Sequence, residues 1–194
     1  NTSTQACQAA LTGPQSVDLA YQCNNPGSCY AANMMSVNGG TATTIARNNS
    51  TGVVNSTPVN LTFDANGNAP LTFVYSDVGQ IKLWASKAAS GLLLTDLNGS
   101  SNAFVVKPGG FVLSAIQQTA LPQLGNPSAV NASGDKFIKA GEAFSVTVTA
   151  TTTAASGAKT TPSYGRESSP EGVKLIATLV APVGGLPGTL SGSL

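Results

Sequence analysis

Asp18, Asp64, Asp77, Asp96, Asp135, Glu142, Glu167 and Glu171 are the acids of this chain, Cys7, Cys23 and Cys29 are its thiols, and it has no His. Without an imidazole, Ser-His-Asp and Cys-His nucleophilic catalysis and most metal hydrolases are excluded. Two of the acids could on paper form a carboxylate pair for glycoside hydrolysis. Most of them, however, stand among turn-forming residues, where Asp and Glu are ordinary. The reading is therefore non-enzymatic, with no catalytic, cofactor-binding or metal-ligating residue assigned.

Asp64-Ala65-Asn66-Gly67-Asn68 places oxygens at alternate positions, as a calcium loop does. Such a loop needs Gly at its sixth position and a bidentate carboxylate at its twelfth. Here Gly stands fourth and the twelfth residue is Tyr75, so a plain turn is the better reading. The three cysteines all lie in the first thirty residues. Paired zinc ligands usually leave two to four residues between Cys, but Cys23 and Cys29 bracket five, Asn24-Asn25-Pro26-Gly27-Ser28. A disulfide framework drawn from Cys7, Cys23 and Cys29 is expected, in an oxidising compartment. The odd count implies a free thiol or a partner outside the segment. The favoured pairing joins Cys7, or a cysteine outside the segment, to Cys23 or Cys29.

Trp84, Tyr75, Tyr164, Tyr21 and Tyr30 could stack on sugars, although Trp84, flanked by Ile81 and Leu83, reads first as a core or intersheet residue. Charged residues make up 9% of the chain and the net charge is +1, against roughly 25% charged residues in an average domain. The surface must then be built from Ser, Thr, Asn, Gln and Gly. Lys82, Lys87, Lys107, Lys136, Lys139, Lys159 and Lys174 are scattered, so the clustered cationic footprint of a nucleic-acid binder is missing. No run approaches the roughly 18 apolar residues of a membrane helix. Asn-x-Ser/Thr triplets at Asn49, Asn55, Asn60, Asn98 and Asn131 suit surface loops and arise by chance in such a composition. The chain opens at Asn1 rather than Met, which reads as a processed or partial polypeptide.

Strand periodicity dominates. Residues 59–63 and 71–75 alternate apolar and polar side chains around the Asn66-Gly67 turn, the pattern of a β-hairpin. Residues 81–85, 103–107, 111–116, 143–150 and 173–180 are further expected strands, and 30–35 could form a helical turn at most. In 143–150, Phe144, Val146 and Val148 share one face. Pro108-Gly109-Gly110 is the best boundary, because Pro removes a donor and Gly frees the backbone. The expected fold class is all-β: two tandem immunoglobulin-like β-sandwich modules, residues 1–107 and 111–194, joined by a linker at 108–110. The second module lacks an equivalent of the first one's hairpin and Asp-Val-Gly strand. It is read as incomplete, cut short or completed by another chain.

Phe63-Asp64-Ala65-Asn66-Gly67-Asn68-Ala69, followed by Tyr75-Ser76-Asp77-Val78-Gly79-Gln80-Ile81-Lys82-Leu83-Trp84-Ala85, resembles a signature of the large secreted MshQ-like proteins of mannose-sensitive haemagglutinin (type IV) pilus gene clusters. Phe104-Val105-Val106-Lys107-Pro108-Gly109-Gly110-Phe111 resembles their module junction, and Cys23 to Cys29 their C-x-x-P-x-x-C stretch. Ile138 to Phe144 and Pro162 to Glu167 fit as well, so the resemblance runs over residues 20–194. It implies a β-rich segment of a longer exported protein linked to pili and adhesion, and it supplies no catalytic residues.

Three functions follow as expectations. The first is a structural or adhesive module of a secreted, cell-surface or pilus-associated protein. The second is a subunit of an extracellular filament assembled by β-strand complementation. The third is a carbohydrate-binding module. Expected partners are neighbouring chains or the rest of a longer polypeptide, pilus components and surface glycans. Nucleic acid, a membrane span and cofactors are not expected.

Overall fold

The computed structural model describes residues 9–37, 43–91, 93–120, 124–131, 133–180 and 183–185. Within them the chain is all-β: β1 (Gly13–Asn25), β2 (Met35–Val37), β3 (Thr43–Thr44), β4 (Ala46–Asn48), β5 (Thr57–Phe63), β6 (Phe73–Tyr75), β7 (Gly79–Lys87), β8 (Leu97–Ser100), β9 (Phe104–Val106), β10 (Gly110–Gln118) and β11 (Phe144–Thr151). The one helical element among these residues is a 3-10 turn, Ala154–Ser156.

The first half is a sandwich organised on β1. Its Val17, Leu19, Tyr21 and Cys23 alternate with Asp18, Ala20 and Gln22, so a strand geometry sends the two sets to opposite faces. β5 lies antiparallel along the first part of β1, with Val17 opposite Val59, and β4 runs parallel along the second part. β7 flanks the other side, with Tyr21 opposite Leu83 and Cys23 opposite Ile81. β8 and β9 share the far edge of β7. The smaller sheet, in the order β3-β2-β6, supplies Met35 and Val37. These residues, Ile45, Val59 and Leu61 close into one buried cluster between the sheets. Burying each such side chain contributes about 1.5–3 kcal/mol.

The arrangement corrects the expected hairpin. β5 pairs with β1 in the large sheet, whereas β6 pairs with β2 in the small one. The Asp64–Asn68 turn therefore carries the chain from one sheet to the other. Alternation in the two runs is the same for a hairpin and for a sheet-to-sheet arch, because each strand buries one face either way. Gly67 does adopt a positive φ, 81°, as an Asn-Gly turn requires.

In the second half, β10 and β11 form a two-stranded antiparallel sheet, with Phe111 opposite Ala150 and Leu113 opposite Val148. Gly109 leads into it: a Cβ there would run into the Thr153 backbone nitrogen. The expected strand at 173–180 is irregular backbone instead, with Ile176 77% and Val180 84% exposed. Its apolar run meets no partner strand among the described residues, and a strand exists only where its N–H and C=O groups find one.

Candidate functional site

Among the described residues Asp77 is the least exposed of the buried polar and charged side chains. It lies just ahead of β7 with 2% of its surface exposed. Its Oδ1 accepts hydrogen bonds from the backbone N–H of Val78 at 2.9 Å and of Ser163 at 3.0 Å. Its Oδ2 accepts from the Ser163 hydroxyl at 2.7 Å. Three donors aimed at one carboxylate make its burial tolerable, since charge-assisted bonds are short and strong. Burial pushes the nearby Tyr75 hydroxyl well above the usual phenol range, and the Asp77 charge and Tyr21 push it further in the same direction. Tyr21 is raised too, chiefly by burial, although its hydroxyl accepts from the Met34 N–H at 3.0 Å, which works against the rise. The two rings meet edge to face at 5.5 Å.

The Cys23–Cys29 loop joins the same place. These two cysteines are disulfide-bonded to each other, which corrects the expected pairing of either one with Cys7 or an outside residue; Cys7 lies outside the described residues. The bond closes the short Asn24–Ser28 loop at the end of β1, containing a cis Asn25-Pro26 peptide. Pro and Gly at the loop centre let its ends approach, which a simple count of the five intervening residues did not reveal. Asn25 Oδ1 accepts from the Ser168 N–H at 2.8 Å. Gly79 packs beneath the loop with φ +120°, and a Cβ there would stand 2.6 Å from the Asn25 carbonyl oxygen. Tyr164 stacks edge to face on Phe111 at 5.6 Å. The Cys23–Cys29, Asp77–Gly79 and Pro162–Glu167 stretches, far apart in sequence, thus meet in one junction between the two halves.

At the junction opens a pocket of about 200 Å³ lined by Gln80, Lys107, Glu167 and Glu171, among others. Glu167 Oε2 is buried with no hydrogen-bond partner among the described residues. The remaining acids do not gather here. Asp64 caps its own turn, accepting from the N–H groups of Asn66 and Asn68 at 2.8 and 2.9 Å. The Asn68 bond above all holds its carboxyl below the usual carboxylate range. Asp96 accepts from the Ala89 N–H at 2.7 Å, and Glu142 from the Lys139 N–H at 3.0 Å. No group of three His, Cys, Asp or Glu side chains that could hold a metal occurs among the described residues.

Trp84 is not in the core. Ile81 faces inward from β7, so Lys82 and Trp84 take the outer face. The Trp84 Nε1–H donates to Gln22 Oε1 at 2.9 Å, and the Lys82 ammonium sits 4.7 Å from the ring centroid. Opposite stands the loop 49–56. Asn48 holds it, accepting from the N–H groups of Val54 and Asn55 at 2.8 and 2.9 Å and donating to the Asn55 carbonyl at 2.8 Å. A cleft of about 470 Å³ opens between loop and indole, with Asp18, Ser86 and Asn98 in its wall.

Sequence reasoning saw Asp77 as an ordinary turn acid and did not find β1 or Asn48. The β1 alternation was present in the sequence; the tertiary partners of Asp77 and Asn48 had no local signal.

Two facing sheets around one apolar cluster, closed by antiparallel strands and a parallel edge pair, define an immunoglobulin-like sandwich. The chain belongs to the DUF6701 family of domains of unknown function: residues 1–97 match its first, Ig-like domain and residues 107–194 its second domain. No curated protein and no solved structure matches it. The disulfide fits an extracellular protein, and among the described residues no helix is long and apolar enough to cross a membrane.

Proposed function

We propose that the chain is a non-catalytic structural module pair of an exported, pilus-associated surface protein, with residues 1–107 and 111–194 as the modules and 108–110 as the linker. The observation that carries this is the buried bonding of Asp77 to Ser163 across the junction. A polar lock of this kind sets one orientation between neighbouring modules, which a stalk or adhesive arm needs and a flexible tether does not. The disulfide and the sparse charge suit life outside the cell, and the resemblance to MshQ-like proteins supports the pilus setting. Small-angle scattering of the full chain should give the profile of one rigid two-module particle. Asp77→Ala should enlarge the radius of gyration. A wild type as extended and variable as the variant overturns the reading. Surface protease shaving of intact producing cells should release the chain; retention inside the cell overturns the exported assignment.

A second reading, a filament subunit built by strand addition, is favoured by the β10–β11 sheet. Phe111, Leu113 and Phe144 are exposed on it, and a two-stranded sheet offers open edges. Sedimentation velocity decides between them: concentration-dependent polymers favour the filament, a monomer the module pair.

A further inference from the structure

We infer that the cleft beside Trp84 binds a neutral pyranose sugar. Trp84 lines the cleft together with Ser86, two residues on along β7, and the Lys82 ammonium, two residues back, lies over the indole 4.7 Å from its centroid. The indole is thus braced, by Lys82 and by its hydrogen bond to Gln22, and forms an apolar part of the cleft wall. Such a wall suits the C–H face of a sugar ring, whose hydroxyls point outward and need polar partners at the rim. Asp18, opposite Ser86 across the β1–β7 pair, and Asn98, opposite Ser86 across the β7–β8 pair, supply them. A carboxylate and an amide together accept from and donate to neighbouring hydroxyls. The hydrogen bonds around the cleft, from Trp84 to Gln22 and between Asn48 and the loop, use none of the side-chain polar atoms of Asp18, Ser86 or Asn98. These groups sit on strands, and Asn48 anchors the facing loop, so the site is pre-formed, as small-ligand sites generally are. The Asp18 charge disfavours an acidic sugar.

Trp84 is the single tryptophan of the chain, so its emission reports on this cleft alone. The full chain is titrated with the methyl pyranosides of glucose, galactose and mannose, with their trisaccharides, and with N-acetylneuraminic acid. A saturable emission change with at least one neutral probe is expected. Asp18→Asn and Asn98→Ala should each weaken it by about tenfold, the factor carried by one polar contact, with thermal melting unchanged. No saturable change with any neutral probe, an equal response in both variants, or tighter binding of N-acetylneuraminic acid would each overturn the assignment. If either variant melts early, saturation-transfer NMR on the wild type replaces it: transfer strongest to the C–H protons of one ring face supports the stacking, and no transfer, or equal transfer to both faces, overturns it.

Discussion

Asp77 and Ser163, 86 residues apart, are joined by two hydrogen bonds in the interior of the protein. The carboxylate belongs to the Asp-Val-Gly stretch of the first half and the serine to the Pro162–Glu167 stretch of the second. Two motifs with no visible relation in sequence are one structural unit.

Asp77→Ala leaves the Ser163 N–H, its hydroxyl and the Val78 N–H buried without their acceptor. The loss should be about 3 kcal/mol or more, read from urea denaturation. Asp77→Asn keeps one oxygen, and the Ser163 hydroxyl can turn to accept from the new amide, so the loss should be about 1 kcal/mol. Equal midpoints for wild type and Asp77→Ala would refute the buried bonding.

Peptide mapping of the unreduced protein should recover Cys23 linked to Cys29. Replacing both with Ala should cost about 2 kcal/mol, the loop-closure entropy of so short a ring. A linkage from Cys7 to either cysteine would refute the pairing.

Gly79→Ala meets both a left-handed backbone and the Asn25 carbonyl. It should lower stability by about 2 kcal/mol or more. Gly172, whose Cβ would meet nothing within 4 Å, is the control, and Gly172→Ala should melt within error of the wild type. Matching melting curves for the two variants would remove the close approach at Gly79.

Tyr75 and Tyr21 are both raised by burial. A folded pKa above the unfolded value near 10 means that the folded state holds these protons longer. Their contribution is then fully present below about pH 10 and is lost as pH rises beyond it. Melting temperatures should stay level to about pH 9 and fall steeply above 10. Tyr75→Phe should flatten that fall; an unchanged slope would show that Tyr75 does not titrate in this way.

Much of the first half was legible. Residues 81–85 read as a strand because Ile81, Leu83 and Ala85 recur at period two, 103–107 because a short β-branched and aromatic run stops at Pro108, and Gly67 read as a turn because Asn-Gly tolerates positive φ. β1 was equally periodic in Val17, Leu19, Tyr21 and Cys23. Trp84 was misplaced although Ile81 and Leu83 already set the inward side of β7, so the neighbouring even positions had to face out. Residues 173–180 failed for the opposite reason: a good pattern with no strand beside it.

By itself the sequence determined the all-β class, the turn at Gly67 and the absence of any imidazole chemistry, because these follow from residue type and local spacing. Only the tertiary structure decided that β5 leaves β6 for β1, that Cys23 pairs with Cys29, and that Asp77 finds Ser163. Strand alternation states which face is buried and is silent about the neighbour. A carboxylate's role depends on which donors the folded chain brings to it, and no local rule spans 86 residues.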